Sequence, residues 1–221
     1  MRLSLPRLLL VLTAAAGLVD AVSYLELGHV FVANLTGNVV FLGFSIGGAS
    51  GLSTLASLVA IAAFLTGALG GGRLAARSGD DRADALATGM AVQLALVASA
   101  AIVAAVAGVH GNASRYPLIV LLAGAMGIQT AIARRLGVRD LPTTVLTQTL
   151  AGLASELRLE KIRADPLVRR RLLAVAAMLL GALVGALLVL NVASWTALAA
   201  AAVLVGGVAG TARTAAVEAS E

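Results

Sequence analysis

Asn34-Leu35-Thr36-Gly37-Asn38 places two amides and a hydroxyl inside a chain that is otherwise largely apolar. Of the 221 residues, 60% are hydrophobic and only 12% are charged, and apolar runs long enough to cross hydrocarbon recur along the chain. This composition indicates an integral membrane protein in contact with the lipid bilayer. Because a polar side chain in lipid needs a partner, water or an interface, this stretch decides how the first half of the chain folds.

Six apolar segments predict transmembrane helices, and they lie at residues 7–27, 53–72, 85–108, 117–133, 171–190 and 194–212. Two further apolar segments, 33–48 and 142–156, are short, and each carries a polar cluster near its start. The sequence therefore predicts an all-α polytopic membrane protein, with six transmembrane helices and two short re-entrant or broken helices, in a single domain over residues 1–221.

The first apolar run begins like a secretory signal peptide, with Arg2 and Arg7 ahead of it and three alanines at 14–16. However, the run continues through Asp20 to Leu27 and is followed by more membrane sequence. We therefore expect this segment to be retained as the first transmembrane helix.

Basic residues favour re-entry of the short segments over crossing. If both re-enter, fifteen of the sixteen Lys and Arg residues fall on one side and only Arg115 on the other, whereas two crossings give ten against six. Cytoplasmic loops concentrate basic residues, so we predict a bacterial inner-membrane protein with both termini in the cytoplasm. Because these residues lie at the ends of apolar runs without interleaved aromatics, we expect no nucleic-acid partner.

The two halves of the chain share one plan. Residues 7–108 and 117–212 each contain a helix, a short polar-headed segment and two more helices, and the charge placement starts them on opposite sides. Residues 17–21 also match residues 127–131 in part. These features predict two inverted structural repeats.

The polar clusters are the candidate pathway residues, because a half-helix that ends at membrane depth leaves about four backbone groups unpaired. Amide and hydroxyl side chains cap such ends and line hydrated passages. One interpretation is that they only cap and pack broken helices, and the other is that they meet at a central site that contacts solute or water. The members are Asn34, Thr36 and Asn38 in the first half and Thr143, Thr144, Thr147 and Gln148 in the second.

Asp20 is the only acidic residue well inside a predicted span. A buried carboxylate indicates a protonatable coupling site or a cation ligand, or else a hydrogen-bonded group that ties the first helix to the Asn34 segment. Tyr24 lies one helical turn further on and is predicted to share its surroundings. Gln129 occupies a nearby position in the second repeat and carries no charge.

Other residue types carry weaker signals. There is no cysteine, and the two histidines lie near predicted loops, so we predict no metal site, no cofactor and no catalytic residues. Glycines four residues apart predict close helix packing, either within the chain or in a homo-oligomer. These pairs are Gly43/Gly47, Gly67/Gly71, Gly181/Gly185 and Gly206/Gly210.

The motif Gly17-Leu18-Val19-Asp20-Ala21, followed by His29 to Asn38, resembles the signature of the YoaK-type family of bacterial inner-membrane proteins. Residues 126–131 and the threonines from 143 to 147 are similar to a second motif of that family, although Gln148 stands where a glycine is expected. The family is one of unknown function, so the resemblance implies a membrane protein and names no substrate.

From these residues we expect a transporter or channel for an unknown small solute, with a polar site near mid-membrane. The alternative is a non-transporting membrane scaffold or accessory subunit. We expect no enzyme, because the spans offer no second acid for an aspartyl pair and no Ser/His pair.

Overall fold

The computed structural model describes residues 5–79, 81–137 and 166–220. Within those ranges the chain forms seven α-helices and no strand. They are α1 (Leu5–Glu26), α2 (Leu35–Ile46), α3 (Thr54–Arg77), α4 (Arg82–Ala107), α5 (Asn112–Arg135), α6 (Pro166–Asn191) and α7 (Ser194–Ser220).

Six of these helices are long and apolar enough to cross a membrane, which confirms the six predicted spans. The remaining helix, α2, has 12 residues, so it is about 18 Å long against a hydrocarbon thickness of about 30 Å. The predicted segment 33–48 is thus a single short helix. The other short segment, 142–156, lies outside the described residues.

Contacts between helix ends give the direction of each helix. Arg115 Nε, at the start of α5, donates to the carbonyl oxygen of Leu27, just after α1, at 3.0 Å. At the opposite end, Arg135 of α5 donates to the carbonyl oxygen of Gly79, just after α3, at 3.0 Å. Consequently α3 and α5 run parallel and α1 runs antiparallel to both. Since α1 ends and α3 begins at the Arg115 end, α2 does not add a crossing, as predicted.

Glycines allow two pairs of parallel helices to pack closely. A Cβ added at Gly71 of α3 would lie 2.8 Å from Cα of Ile128 in α5, and one added at Gly185 of α6 would lie 3.0 Å from Cα of Leu18 in α1. Side chains at these positions would overlap the facing backbone, so the α3–α5 and α1–α6 contacts depend on glycine.

The four predicted glycine pairs therefore differ. Gly67/Gly71 and Gly181/Gly185 lie in these tight contacts, whereas a Cβ on Gly43 or Gly210 would meet nothing within 4 Å. The prediction of close packing within the chain therefore holds for Gly67/Gly71 and Gly181/Gly185.

Helices α1 and α5 form the centre of the bundle. In their apolar spans, 67% and 56% of residues are buried, against 17% to 33% in the other four long helices. Helix α1 packs against α5, α6 and α7, and α5 packs against α3 and α4. The described basic residues other than Arg115 gather at one end, which we call the basic end. They are Arg7, Arg73, Arg77, Arg82, Arg134, Arg135, Arg169, Arg170, Arg171 and Arg213.

Candidate functional site

The Asp20 carboxylate is buried, with 3% of the residue exposed, and binds the segment that precedes α2. Its Oδ1 accepts hydrogen bonds from the backbone N–H groups of Val32 at 3.0 Å and Ala33 at 2.8 Å. Its Oδ2 accepts from the side-chain amide of Asn34. Three N–H donors from one short segment therefore converge on one carboxylate of α1.

Asn38 holds the same segment from the other side. Its Oδ1 accepts from the backbone N–H of Phe31 at 2.8 Å, and its Nδ2 donates to the carbonyl oxygen of Phe31 at 2.5 Å. Asn38 is the buried residue of α2. Because one amide satisfies both backbone groups of Phe31, the segment needs no helix or strand of its own at this position.

Asn34 does not act as expected from its residue type. It occupies the position before the first residue of α2, but its side chain makes no hydrogen bond to the first turn. The amide donates to Asp20 instead. Of the two asparagines, only Asn38 lies within the helix.

Tyr24 belongs to an aromatic group beside this cluster. Its ring stacks on Phe31 with centroids 5.0 Å apart and meets the edge of His29 at 5.2 Å. Phe41 of α2 contacts both rings, with its centroid 6.0 Å from that of Phe31 and 6.2 Å from that of Tyr24. Thr36, another predicted site residue, is exposed and lies outside the Asp20 cluster.

A second buried polar group joins the two central helices. Gln129 of α5 donates from Nε2 to the carbonyl oxygen of Leu12 in α1 at 3.3 Å, and its Oε1 accepts from Nε2 of Gln93 in α4 at 2.6 Å. Gln93 is fully buried and Gln129 is 1% exposed. The pair is therefore closed to the outside in this conformation.

This chain of contacts determines which way each amide points. A carbonyl oxygen only accepts, so Gln129 must present its Nε2 to Leu12 and its Oε1 to Gln93. Gln93 must then present its Nε2 to Gln129, which leaves Gln93 Oε1 as a buried acceptor without a hydrogen-bond partner among the residues that the structure describes. A buried acceptor of this kind normally binds water or another donor.

Gln93 was absent from the residues predicted from sequence. The available signal was a lone amide inside the predicted span 85–108, but its partner lies 36 residues away in the chain. Gln93 also lies eleven residues into α4, about 16 Å from the basic end and thus near the middle of the hydrocarbon.

The structure brings part of the predicted set together. Asp20, Asn34, Asn38 and Tyr24 lie in one cluster near the Arg115 end, and Gln129 lies beside Leu12, two turns or about 12 Å along α1 from Asp20. The second-half cluster lies outside the described residues, namely Thr143, Thr144, Thr147 and Gln148.

The described side chains include no group of three or more His, Asp or Glu residues that could hold a metal ion. His110 and Glu26 approach within 3.4 Å at the Arg115 end, where the His110 side chain is 84% exposed. This contact is an interfacial ion pair when the histidine is protonated.

Comparison with known proteins shows similarity to membrane proteins of unknown function. Residues 8–211 match the family described as "Protein of unknown function (DUF1275)". The chain is also similar to the UPF0700 transmembrane protein YoaK of Bacillus subtilis (strain 168), with 38% identity over 153 residues. That match covers 68% of this chain and 66% of the relative, just under two thirds of its length. No solved structure matches.

Proposed function

The chain belongs to the DUF1275 family of membrane proteins, whose function is unknown, and from its own geometry we propose that it transports small polar solutes across the bacterial cytoplasmic membrane. The observation that carries this proposal is the side-chain oxygen of Gln93, which has no hydrogen-bond partner among the described residues. It lies next to the two central helices, near the middle of the membrane, where an unsatisfied polar group costs several kcal/mol in hydrocarbon. A solute or water that donates a hydrogen bond would satisfy it.

The packing of the helices supports an inverted repeat, which is the architecture of many secondary transporters. A Cβ on Gly17 of α1 would lie 2.7 Å from the backbone nitrogen of Ala182 in α6, and one on Gly127 of α5 would lie 2.7 Å from that of Ala68 in α3. The first helix of each half thus meets the second membrane-spanning helix of the opposite half through the same kind of contact.

The direction of the helices supports the same proposal. The paired residues Gly17 and Gly127 are 110 positions apart, and their helices, α1 and α5, run antiparallel. The repeats, residues 7–108 and 117–212, would therefore be related by an axis in the membrane plane. In such a protein, rocking of one half against the other would open the Gln93–Gln129 pair to each side in turn.

Charge supports an orientation with both termini in the cytoplasm. All described basic residues except Arg115 lie at the end of the bundle where α1 begins, and cytoplasmic ends concentrate Lys and Arg. Exposed glycines such as Gly43 and Gly210 leave room for contacts between subunits. We propose no enzymatic activity, because no catalytic constellation was found in the sequence.

Solute flux into proteoliposomes tests this proposal. Stopped-flow light scattering would follow the entry of glycerol and urea, which are small neutral hydrogen-bond donors. We expect the wild-type protein to raise the entry rate of at least one above that of protein-free liposomes. Gln93→Leu should abolish the increase, whereas Ser99→Ala, an exposed position on the same helix, should retain it. Equal rates in wild-type and protein-free liposomes for both solutes would contradict transport of this class.

A non-transporting scaffold is the second candidate, and the Asp20 cluster favours it. Both carboxylate oxygens of Asp20 already accept hydrogen bonds from the protein, and both polar atoms of the Asn38 side chain are paired. This cluster therefore needs no solute to satisfy it. A scaffold predicts no flux of any tested solute together with an unchanged fold in Gln93→Leu.

A further inference from the structure

A large apolar groove opens on the surface of the bundle between α3, α4 and α5. Its volume is about 690 Å³. Its floor contains Gly67, Gly70 and Gly124, and a Cβ added at Gly70 would meet nothing within 4 Å. At Gly70 the missing side chain leaves this floor open. Val120 on its rim is 49% exposed, so the groove is open to the surrounding lipid.

Two arginines line the basic end of the same groove. Arg73 and Arg77 are one helical turn apart on α3, so they share a face, and both are exposed. No hydrogen bond or ion pair joins either guanidinium to the part of the chain that the structure describes. The groove therefore combines an apolar trough with two positive charges at one end that have no partner in the described ranges.

We propose that this groove binds an anionic phospholipid, with an acyl chain on the glycine floor and the phosphate between Arg73 and Arg77. The dimensions fit, because the groove runs from Val59 to Arg73, about 21 Å along α3, while half of the hydrocarbon layer is about 15 Å thick. Guanidinium groups bind phosphate through paired N–H donors. Basic pockets between spans bind anionic headgroups in the same way.

The groove does not involve Gln93 or Gln129, so this inference is independent of transport. An anionic lipid there would hold α3 and α4 together on the surface, where these helices make few direct contacts with each other. The lipid would thus act as a structural ligand of the first half of the chain.

Native mass spectrometry of the purified full chain tests the headgroup contact. The delipidated protein would be offered equal amounts of phosphatidylglycerol and phosphatidylcholine with identical acyl chains. For the first lipid bound, we expect a preference for phosphatidylglycerol of roughly 30-fold from two arginines. The double variant Arg73→Gln/Arg77→Gln should lose most of this preference, and Arg73→Lys/Arg77→Lys, which keeps the charge but not the paired donors, should show an intermediate preference. The control Arg134→Gln lies at the same end outside the groove and should behave like the wild type.

A second pair of variants tests the acyl-chain contact. Gly70→Leu fills the floor of the groove, whereas Gly72→Leu adds the same side chain to the same helix at an exposed position outside the groove, and neither Cβ meets an atom within 4 Å. We expect Gly70→Leu to bind several-fold less of either lipid and Gly72→Leu to match the wild type.

Three results would overturn the proposal. They are an unchanged preference in the glutamine double variant, unchanged lipid binding in Gly70→Leu, and a dimer in the wild-type spectrum that Gly70→Leu converts to monomer. The last result would show that a second copy of the chain occupies the groove. Size-exclusion profiles and thermal unfolding of each variant would show whether it is folded before its spectrum is interpreted.

Discussion

Replacing Asp20 should separate a role as hydrogen-bond acceptor from a role as negative charge. Asp20→Leu is close in size but removes the acceptor for the backbone N–H groups of Val32 and Ala33, both of which are buried residues. A buried donor without an acceptor costs about 1–3 kcal/mol, so two of them destabilise the fold by roughly 2–6 kcal/mol. The amide of Asn34 is only half-buried and adds little to this cost.

Asp20→Asn should be much milder. Its oxygen can still accept from the Val32 and Ala33 N–H groups, while its new amide faces Asn34. The side chain of Asn34 makes no other hydrogen bond among the described residues, so it can turn over and offer its oxygen. The variant loses only the extra strength of hydrogen bonds to a charged oxygen over those to a neutral oxygen. This loss destabilises the fold by on the order of 1 kcal/mol.

Unfolding by sodium dodecyl sulfate in mixed micelles, followed by circular dichroism, would measure both variants. Thr36→Val is the control, because Thr36 is exposed on α2 and a surface change of this kind lies within about 0.5 kcal/mol. If Asp20→Asn destabilises the protein as much as Asp20→Leu does, the carboxylate acts through its charge. If neither differs from the control, the hydrogen bonds to Asp20 do not stabilise the fold.

Three further predictions concern packing, the Asn38 contact and topology. Gly181→Leu should destabilise the protein by about 3 kcal/mol or more in the same unfolding assay, because its Cβ would overlap the backbone of α1. The control Gly72→Leu should change the free energy of unfolding by no more than about 0.5 kcal/mol. Equal effects of the two variants would argue against the α1–α6 contact. Asn38→Leu should speed hydrogen exchange in residues 28–34, since it leaves two backbone groups unpaired, without changing exchange in α5; uniform acceleration would instead indicate global destabilisation. Because the chain has no cysteine, a single introduced cysteine shows on which side of the membrane its position lies. Ala49→Cys should react with an impermeant maleimide in intact cells, whereas Ser78→Cys should react only after lysis. The reverse pattern would contradict the proposed orientation.

The six long helices could be predicted from the sequence because hydropathy alone determines whether a segment can cross lipid. Basic residues also predicted correctly that the segment containing α2 does not add a crossing. Hydropathy is a property of each segment, and the charge asymmetry is a sum over loops. Neither depends on which helices contact each other. The predicted proximity of Asp20 to the Asn34 segment depended on the same reasoning, since a buried carboxylate requires donors close by.

The partner of each polar group could not be predicted with the same success. Capping of its own helix was one interpretation for Asn34, and it would use the side-chain oxygen as an acceptor. Instead the side chain donates its amide N–H to Asp20 and makes no hydrogen bond to the first turn of α2. Gln93 gave only a lone polar position in an apolar span, and the packing of α4 against α5 was needed to place it beside Gln129.

The sequence by itself determined the six membrane-spanning helices of the described ranges and the polar interruption at residues 34 to 38. Tertiary structure alone decided that Asp20 and Asn38 bind the backbone of the segment before α2, while the side-chain oxygen of Gln93 has no partner within the residues that the structure describes. The reason is that hydropathy sums over a segment, whereas hydrogen bonding depends on distances of about 3 Å between residues remote in the chain.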